Sequence, residues 1–176
     1  MRSIILIGFM GAGKTTIGRT LAMHLGRAFY DLDWYIETRY RCPIHRIFSE
    51  HGETKFREME REMLHEAAAF EDIVLSCGGG TPCYFDNIDY MNSVGDTIYL
   101  KCTTETLARH LQMGKSIRPL IQGKTAEELE NFIHESLEKR SPFYEKAQHI
   151  IEVPYLGDKQ RVALLVEKLI NKLSLE

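Results

Sequence analysis

The segment 4–16 constrains the fold of this 176-residue chain more than any other part of the sequence. It begins with a short apolar run at 4–7, which is typical of a strand buried on both faces of a parallel sheet. Residues 8–15 then fit the pattern G-x-x-x-x-G-K-[ST], and apolar residues recur at helical spacing from Lys14 onward. This order predicts a strand, a glycine-rich loop and a helix, and such a loop binds the phosphates of a nucleoside triphosphate.

Six consecutive residues of this loop are the candidates for nucleotide contact: Gly11, Ala12, Gly13, Lys14, Thr15 and Thr16. Glycines let backbone N–H groups approach phosphate oxygens, because a Cβ would block the way. Lys14 is placed to neutralise the β- and γ-phosphates, and the Thr15 hydroxyl is a candidate Mg²⁺ ligand. A glycine-rich turn that binds nothing is the alternative, and the flanking strand and helix argue against it. The loop does not indicate which reaction follows.

The rest of the chain alternates between strand and helix patterns. Strands are predicted at 4–7, 28–30, 73–76, 97–102 and 150–153, and helices at 14–25, 34–41, 44–50, 54–69, 104–111, from 125 onward, and at 162–173. This alternation predicts an α/β fold with a parallel sheet and helices on both faces. Ligands of such sheets bind at the carboxyl ends of the strands. No linker or repeat interrupts 1–176, so a single domain is expected.

Composition excludes several classes of partner. The net charge of −3 offers no electrostatic surface for nucleic acid. No apolar run approaches the roughly 18 residues that span a bilayer, so no membrane association is expected. The four cysteines lack metal-site spacing and are interpreted as reduced thiols of a cytoplasmic protein.

Two carboxylates follow the second predicted strand. Asp31 and Asp33 are two residues apart, and on a strand both would face the phosphate loop. One could hold the water shell of a metal while the other accepts a proton from an acceptor hydroxyl. Alternatively, Asp33 caps the helix that follows. The two interpretations are compatible and both stay open here.

Three glycines and an Arg–Glu pair are the next candidates. Gly78, Gly79 and Gly80 end the third strand, where they could bring backbone amides close to a ligand or simply form a tight turn. Arg57 and Glu60 share a helix face, and an arginine fixed by a carboxylate is suited to binding the carboxylate of a substrate. Taken alone, such a pair is usually a surface contact.

Two further arginines could contribute positive charge to the site. Arg118 lies in a polar loop, 113–124, that is predicted to be mobile, where it could close on the transferring phosphate as an arginine finger. Arg140 could supply a second cation near a helix end.

Together these motifs resemble the shikimate kinase family. The matching stretches occur in the family's order and reach to about residue 153: GFMGAGKTTIGRTLA (8–22), D-x-D (31–33), F-R-x-x-E (56–60), GGG (78–80), RPL (118–120) and R-x-P-x-Y (140–144). The resemblance implies a P-loop NTPase of the nucleoside-monophosphate-kinase-like type, with a five-stranded parallel sheet flanked by helices. It also implies one kinase domain with an acceptor-binding segment at 33–62 and a mobile lid at 113–124.

The activity implied by the resemblance is phosphorylation of the 3-hydroxyl of shikimate by ATP, which gives shikimate 3-phosphate and ADP on the way to chorismate and the aromatic amino acids. The implied substrates are shikimate and ATP, and the implied cofactor is Mg²⁺. In the implied site, Asp33 holds the acceptor hydroxyl. Arg57, Gly79 and Arg140 bind shikimate, and Glu60 steadies that site.

The resemblance also assigns the nucleotide side. Lys14 and Arg118 would stabilise the transferring phosphoryl group, and Thr15 would bind Mg²⁺ with Asp31 acting through water. Arg109 resembles the arginine that stacks on adenine in the family, and 154–158 would be the loop that contacts the base.

Three alternatives are weighed against this interpretation. A gluconate kinase shares the fold, but F-R-x-x-E and R-x-P-x-Y favour shikimate. A nucleoside monophosphate kinase is disfavoured, since the acidic acceptor segment is unsuited to a second phosphate. A catalytically inactive nucleotide-binding protein would be expected to lose Lys14, Asp33 or an arginine, and all are present. The enzyme is expected to be a monomer.

Overall fold

Five parallel strands form the centre of the protein in a computed structural model that describes residues 2–114 and 119–173. The strands are β1 (Ser3–Ile7), β2 (Ala28–Asp31), β3 (Ile73–Ser76), β4 (Gly95–Lys101) and β5 (His149–Glu152). Their order in the sheet is β2-β3-β1-β4-β5, and every pairing is parallel. The predicted α/β fold with a five-stranded parallel sheet is therefore confirmed.

The described residues form seven α-helices around this sheet. They are α1 (Lys14–Leu25), α2 (Leu32–Tyr40), α3 (Ile44–Ala68), α4 (Asn87–Val94), α5 (Thr104–Met113), α6 (Ala126–Tyr144) and α7 (Lys159–Leu173), with short 3₁₀ turns at Thr81–Cys83 and Pro119–Ile121. None of the helices in 2–114 and 119–173 is both long enough and apolar enough to cross a bilayer.

Local sequence explains where several helices begin and end. Gly26 ends α1 in the left-handed conformation (φ 66°), which a residue without a Cβ adopts at little cost. Thr125 and Glu128 form the predicted capping box at the start of α6. The apolar stripe of α7 packs inward, with Val166 and Leu169 buried.

The helices predicted at 44–50 and 54–69 agree with α3, whose helical path is broken at Gly52 (φ 75°, ψ 172°), between the two predicted segments. The structure differs from the predicted elements in two places. Helix α4 was not predicted. The cap of α2 is Asp31, whose side chain accepts hydrogen bonds from the backbone N–H groups of Asp33 and Trp34. The prediction that Asp33 caps this helix was wrong, because the helix begins one residue before Asp33.

The sheet order places the candidate site. Strand β1 pairs with β3 on one side and β4 on the other, and four of its five residues, Ile4–Ile7, are fully buried. Because the strands are parallel, the phosphate loop after β1, the Asp31–Asp33 segment after β2 and the glycines after β3 emerge at the same edge. Ser76 of β3 pairs with Asp31 of β2 on one side and with Leu6 of β1 on the other, so the carboxyl ends of these three strands are adjacent.

Candidate active site

The phosphate loop between β1 and α1 is closed by the side chain of Lys14. Gly11 and Gly13 adopt left-handed conformations (φ 85° and 87°), which turn the backbone into a cradle. The Lys14 ammonium donates to the carbonyl oxygens of Gly8 at 2.8 Å and Phe9 at 3.1 Å. The loop is therefore preformed around one fixed positive charge, beside the N-terminus of α1, which favours a bound polyphosphate.

Thr15 and Asp31 form the pair of oxygens next to this cradle. Thr15 Oγ1 donates to Asp31 Oδ2 at 3.0 Å, while Asp31 Oδ1 accepts from the N–H of Asp33 at 3.2 Å. A hydroxyl and a carboxylate are hard oxygen donors of the kind that Mg²⁺ takes alongside substrate phosphates and water. The residues present therefore fit Mg²⁺. Thr16 follows in the first turn of α1 and is exposed.

Asp33 carries the most perturbed carboxyl group of this cleft. Asp33 is exposed to solvent, yet the surrounding protein raises its pKa from 3.8 to about 6. Desolvation is the main cause, the negative charges of Asp31 and Glu60 add to it, and the ammonium of Lys14 partly opposes it. A carboxylate with a pKa this close to neutral is suited to accept a proton from a hydroxyl group.

Gly78, Gly79 and Gly80 lie between these groups and the acceptor side. A Cβ placed on Gly78 would be 2.8 Å from Asp33 Oδ1, and one on Gly80 would be 2.7 Å from Arg57 Nη2. A Cβ on Gly79 would be 3.4 Å from Arg140 Nη1 and 3.5 Å from the carbonyl oxygen of Gly8. The backbone of the three glycines is thus in close contact with the phosphate loop, the acid and both arginines, and a role of these glycines in ligand binding stays a prediction.

Arg57 is held on several sides. Its Nη1 donates to Glu60 Oε2 at 2.8 Å, while Nε and Nη2 donate to Glu53 Oε1 at 3.3 and 3.1 Å. The guanidinium carbon also lies 4.1 Å from the ring centroid of Tyr84. Because its geometry is fixed before any ligand arrives, Arg57 is preorganised to bind a planar anion such as a carboxylate.

Glu60 is a buried carboxylate rather than a surface partner. Its side chain is almost completely enclosed, and besides Arg57 it accepts a hydrogen bond from Thr81 Oγ1 at 2.6 Å. The surface-contact alternative for the Arg57–Glu60 pair is therefore wrong. Buried charges persist only when they are paired, so Glu60 fixes Arg57 and is fixed by it.

Arg140 projects from α6 toward the same region. Its guanidinium carbon lies 5.4 Å from the ring centroid of Phe9, a residue of the phosphate loop. Tyr144, one turn further along α6, is fully buried and donates its hydroxyl hydrogen to the carbonyl oxygen of Gly79. This hydrogen bond ties α6, and with it Arg140, to the glycine segment.

Arg109 lies on the opposite side of the phosphate loop, on α5. Its guanidinium carbon is 3.7 Å from the ring centroid of Tyr155, within the segment 154–158. The structure thus brings together the two parts to which the resemblance assigned the base contacts. Arg118 and residues 115–117 of the predicted lid at 113–124 lie outside the described residues.

Sequence reasoning missed several supporting residues. Thr81, Tyr84 and Glu53 all contact the Arg57–Glu60 pair or one of its members. Glu53 precedes Arg57 by one helical turn, so the i, i+4 spacing was a usable signal. Thr81 and Tyr84 follow the glycines, and no local pattern connects them with a helix that lies about 20 residues earlier. Tyr144 was part of a quoted motif, but no role was assigned to it.

Comparison with known proteins identifies relatives over nearly the whole chain. The family model described as Shikimate kinase matches residues 10–173. The shikimate kinase of Phocaeicola vulgatus is 50% identical over 174 residues, which cover 99% of each chain. The crystal structure of the shikimate kinase from Bacteroides thetaiotaomicron superposes with a TM-score of 0.95 at 46% identity, covering 98% of each chain.

A solved structure with a ligand is also similar. The shikimate kinase from Acinetobacter baumannii, in complex with shikimate, superposes with a TM-score of 0.85 at 35% identity and covers 99% of this chain and 94% of that one. Family model, full-length relatives and fold agree with the motifs at the carboxyl edge of the sheet. The chain belongs to the shikimate kinase family.

Proposed function

We propose that this chain transfers the γ-phosphoryl group of ATP to the 3-hydroxyl of shikimate, giving shikimate 3-phosphate and ADP. One observation carries the assignment most directly: the glycines at 78–80 lie against the acid, the phosphate loop and both candidate carboxylate-binding arginines. Phosphate donor and acceptor hydroxyl can therefore be held in one cleft, close enough for direct transfer.

The acceptor side is assigned to Arg57, Arg140 and Asp33. The two guanidinium groups bind the carboxylate of shikimate, and Gly79 offers its backbone at the same surface. Glu60 keeps Arg57 in place. Asp33 accepts the hydroxyl proton as the oxygen attacks the γ-phosphorus, and its pKa of about 6 keeps it ionised at neutral pH.

The donor side is assigned to the phosphate loop and its neighbours. Backbone N–H groups at 11–16 surround the β- and γ-phosphates, and Lys14 neutralises charge as the bond from the γ-phosphorus to the β–γ bridging oxygen breaks and ADP leaves. Arg118 closes on the transferring group from the lid at 113–124. Thr15, with Asp31 acting through water, holds Mg²⁺, which supplies charge neutralisation and orientation of the phosphates when bound.

We also propose that residues 1–176 act as one kinase domain and as a monomer, with 33–62 as the acceptor-binding segment. The cytoplasm is the proposed compartment, since its reducing conditions suit the four free cysteines.

The test is coupled ADP release with shikimate, gluconate or no acceptor. Turnover that depends on shikimate supports the proposal, because F-R-x-x-E and R-x-P-x-Y build the two-arginine carboxylate site. Turnover that depends on gluconate would favour the sugar-acid alternative. Absence of turnover with every acceptor, together with measurable ADP binding, would favour a nucleotide-binding protein without catalytic activity.

A further inference from the structure

His110 joins two segments of the nucleotide side that are distant in sequence. Its Nδ1 lies 2.8 Å from the carbonyl oxygen of Gly11, in the phosphate loop. Its Nε2 lies 2.9 Å from the backbone nitrogen of Leu156, in the segment 154–158. The half-buried imidazole also stacks on Tyr155, with ring centroids 5.2 Å apart and planes at 29°. Both ring nitrogens of one side chain are thus used by backbone groups.

These two backbone partners determine the protonation of the ring. A carbonyl oxygen can only accept a hydrogen bond, so Nδ1 must carry a proton. A backbone N–H can only donate, so Nε2 must be unprotonated. The contacts are therefore satisfied together only by the neutral imidazole with its proton on Nδ1, and a second proton on Nε2 would oppose the Leu156 N–H.

The two hydrogen bonds of His110 involve the phosphate loop and the segment 154–158, to which the nucleotide contacts are assigned. Gly11 holds a left-handed conformation that orients the phosphate loop, and its carbonyl is the group that His110 binds. Leu156 covers the same loop, since a Cβ on Gly13 would lie 2.8 Å from Leu156 Cδ1. The ring of Tyr155, which stacks on His110, also contacts the guanidinium of Arg109. The His110 ring therefore connects the phosphate loop with the segment 154–158.

We propose that His110 is a positioning residue for the nucleotide, which acts by bridging Gly11 and Leu156 in its neutral, Nδ1-protonated form. The identity of the ligand as ATP or ADP rests on the proposed function. The bridge has two separable halves. It fixes the phosphate loop through the donor at Nδ1 and the base side through the acceptor at Nε2. It contacts none of the acceptor-binding residues, so its loss should weaken nucleotide binding selectively.

Three variants separate the two halves. His110→Asn keeps a donor near Nδ1 for Gly11, His110→Gln places an amide oxygen near Nε2 for Leu156, and His110→Leu removes both. Calorimetry with ADP and Mg²⁺ is the measurement, so it does not depend on turnover with any acceptor. At about fivefold for each lost hydrogen bond, the Kd for ADP should rise about fivefold in the two amide variants and about 25-fold in His110→Leu.

The controls address folding and general histidine effects. His134 lies on α6 with 68% of its side chain exposed, so His134→Gln should leave the Kd for ADP unchanged. In long-range ¹H–¹⁵N NMR of the full-length protein at neutral pH, the His110 imidazole, assigned by the loss of its signal in His110→Gln, should have a protonated Nδ1 and an unprotonated Nε2.

Two results would overturn the proposal. One is a Kd for ADP in the amide variants that equals that of His110→Leu, since a role in filling space alone would give no partial rescue. The other is an Nε2-protonated or fully protonated ring for His110 in the NMR spectrum. The NMR result stands even if His110→Leu fails to fold. A protein that binds ADP as expected but phosphorylates no acceptor would contradict the proposed function and leave this inference intact.

Discussion

Two ion pairs on α3 have the same length and spacing but very different burial. Lys55 Nζ lies 2.8 Å from Glu58 Oε2, and Arg57 Nη1 lies 2.8 Å from Glu60 Oε2; both pairs are three residues apart. The side chain of Glu58 is 52% exposed and that of Glu60 is 1% exposed. Replacing each glutamate by glutamine therefore compares the same chemical change at the surface and in the interior.

The expected stability changes follow from that burial. Removing one member of an exposed pair costs about 0 to 1 kcal/mol, because water and salt already screen it. Removing one member of a buried pair costs about 3 to 5 kcal/mol, and the lower end applies here since glutamine keeps the shape and an oxygen for Thr81. At about 2 to 4 °C per kcal/mol for a chain of this size, Glu60→Gln should lower the Tm by about 6 to 12 °C.

The same substitution should also change catalysis on the acceptor side only. Arg57 would keep Glu53 but lose its buried partner, so we expect the KM for shikimate to rise about tenfold, the cost of one charge-assisted hydrogen bond. The KM for ATP should be unchanged, since Glu60 accepts hydrogen bonds from Arg57 and Thr81 on the acceptor side. The pKa of Asp33 should fall, because the charge of Glu60 contributes to raising it.

Calorimetric melting and steady-state kinetics of the wild type, Glu60→Gln and Glu58→Gln are the measurements. Glu58→Gln is the matched control and should leave Tm within about 4 °C of the wild type and both KM values unchanged. Equal Tm shifts for the two variants, or an unchanged KM for shikimate in Glu60→Gln, would refute the reasoning that burial makes this pair important.

Two further predictions concern neighbouring groups. Because Asp33 must be ionised to accept a proton, kcat/KM for shikimate should fall about tenfold per pH unit below a pKa of about 6, and a flat profile between pH 5 and 7 would contradict this role. Replacing the acid in Asp33→Asn should reduce kcat by about 10²-fold or more, while the affinity for ADP is retained. Gly80→Ala should raise the KM for shikimate about tenfold or more, because the new Cβ would lie 2.7 Å from Arg57 Nη2. Gly79→Ala should raise this KM less, because its nearest contact would be at 3.4 Å, and the reverse order of the two KM values would argue against this geometry.

Much of the fold could be predicted because its signals are local. The apolar run at 4–7 and the glycine pattern after it defined β1, the phosphate loop and α1, and Thr125 with Glu128 marked the start of α6. The sheet order could not be read in this way, since strand pairing depends on contacts between distant segments. Helix α4 was missed because its sequence, NIDYMNSV, combines polar residues with a weak apolar pattern.

The candidate site, like the fold, could be predicted from the sequence only where its features depend on local motifs. Lys14, Asp33 and Arg57 belong to short motifs, so their presence near the sheet edge could be predicted. The burial of Glu60 could not, because it depends on Thr81, which follows the next strand. Likewise, nothing near His110 in the sequence indicates that both its ring nitrogens bind backbone groups 99 residues back and 46 residues ahead.

Asp31 divides its two carboxylate oxygens between separate tasks. Oδ1 accepts from the backbone at the start of α2 and so sets the position of Asp33, whereas Oδ2 accepts from Thr15 beside the phosphate loop. A Mg²⁺ ion bound by Thr15, with Asp31 Oδ2 acting through water, would leave the hydrogen bond at Oδ1 intact. Binding of the ion would then not displace Asp33, although a single side chain serves both the ion and the start of α2.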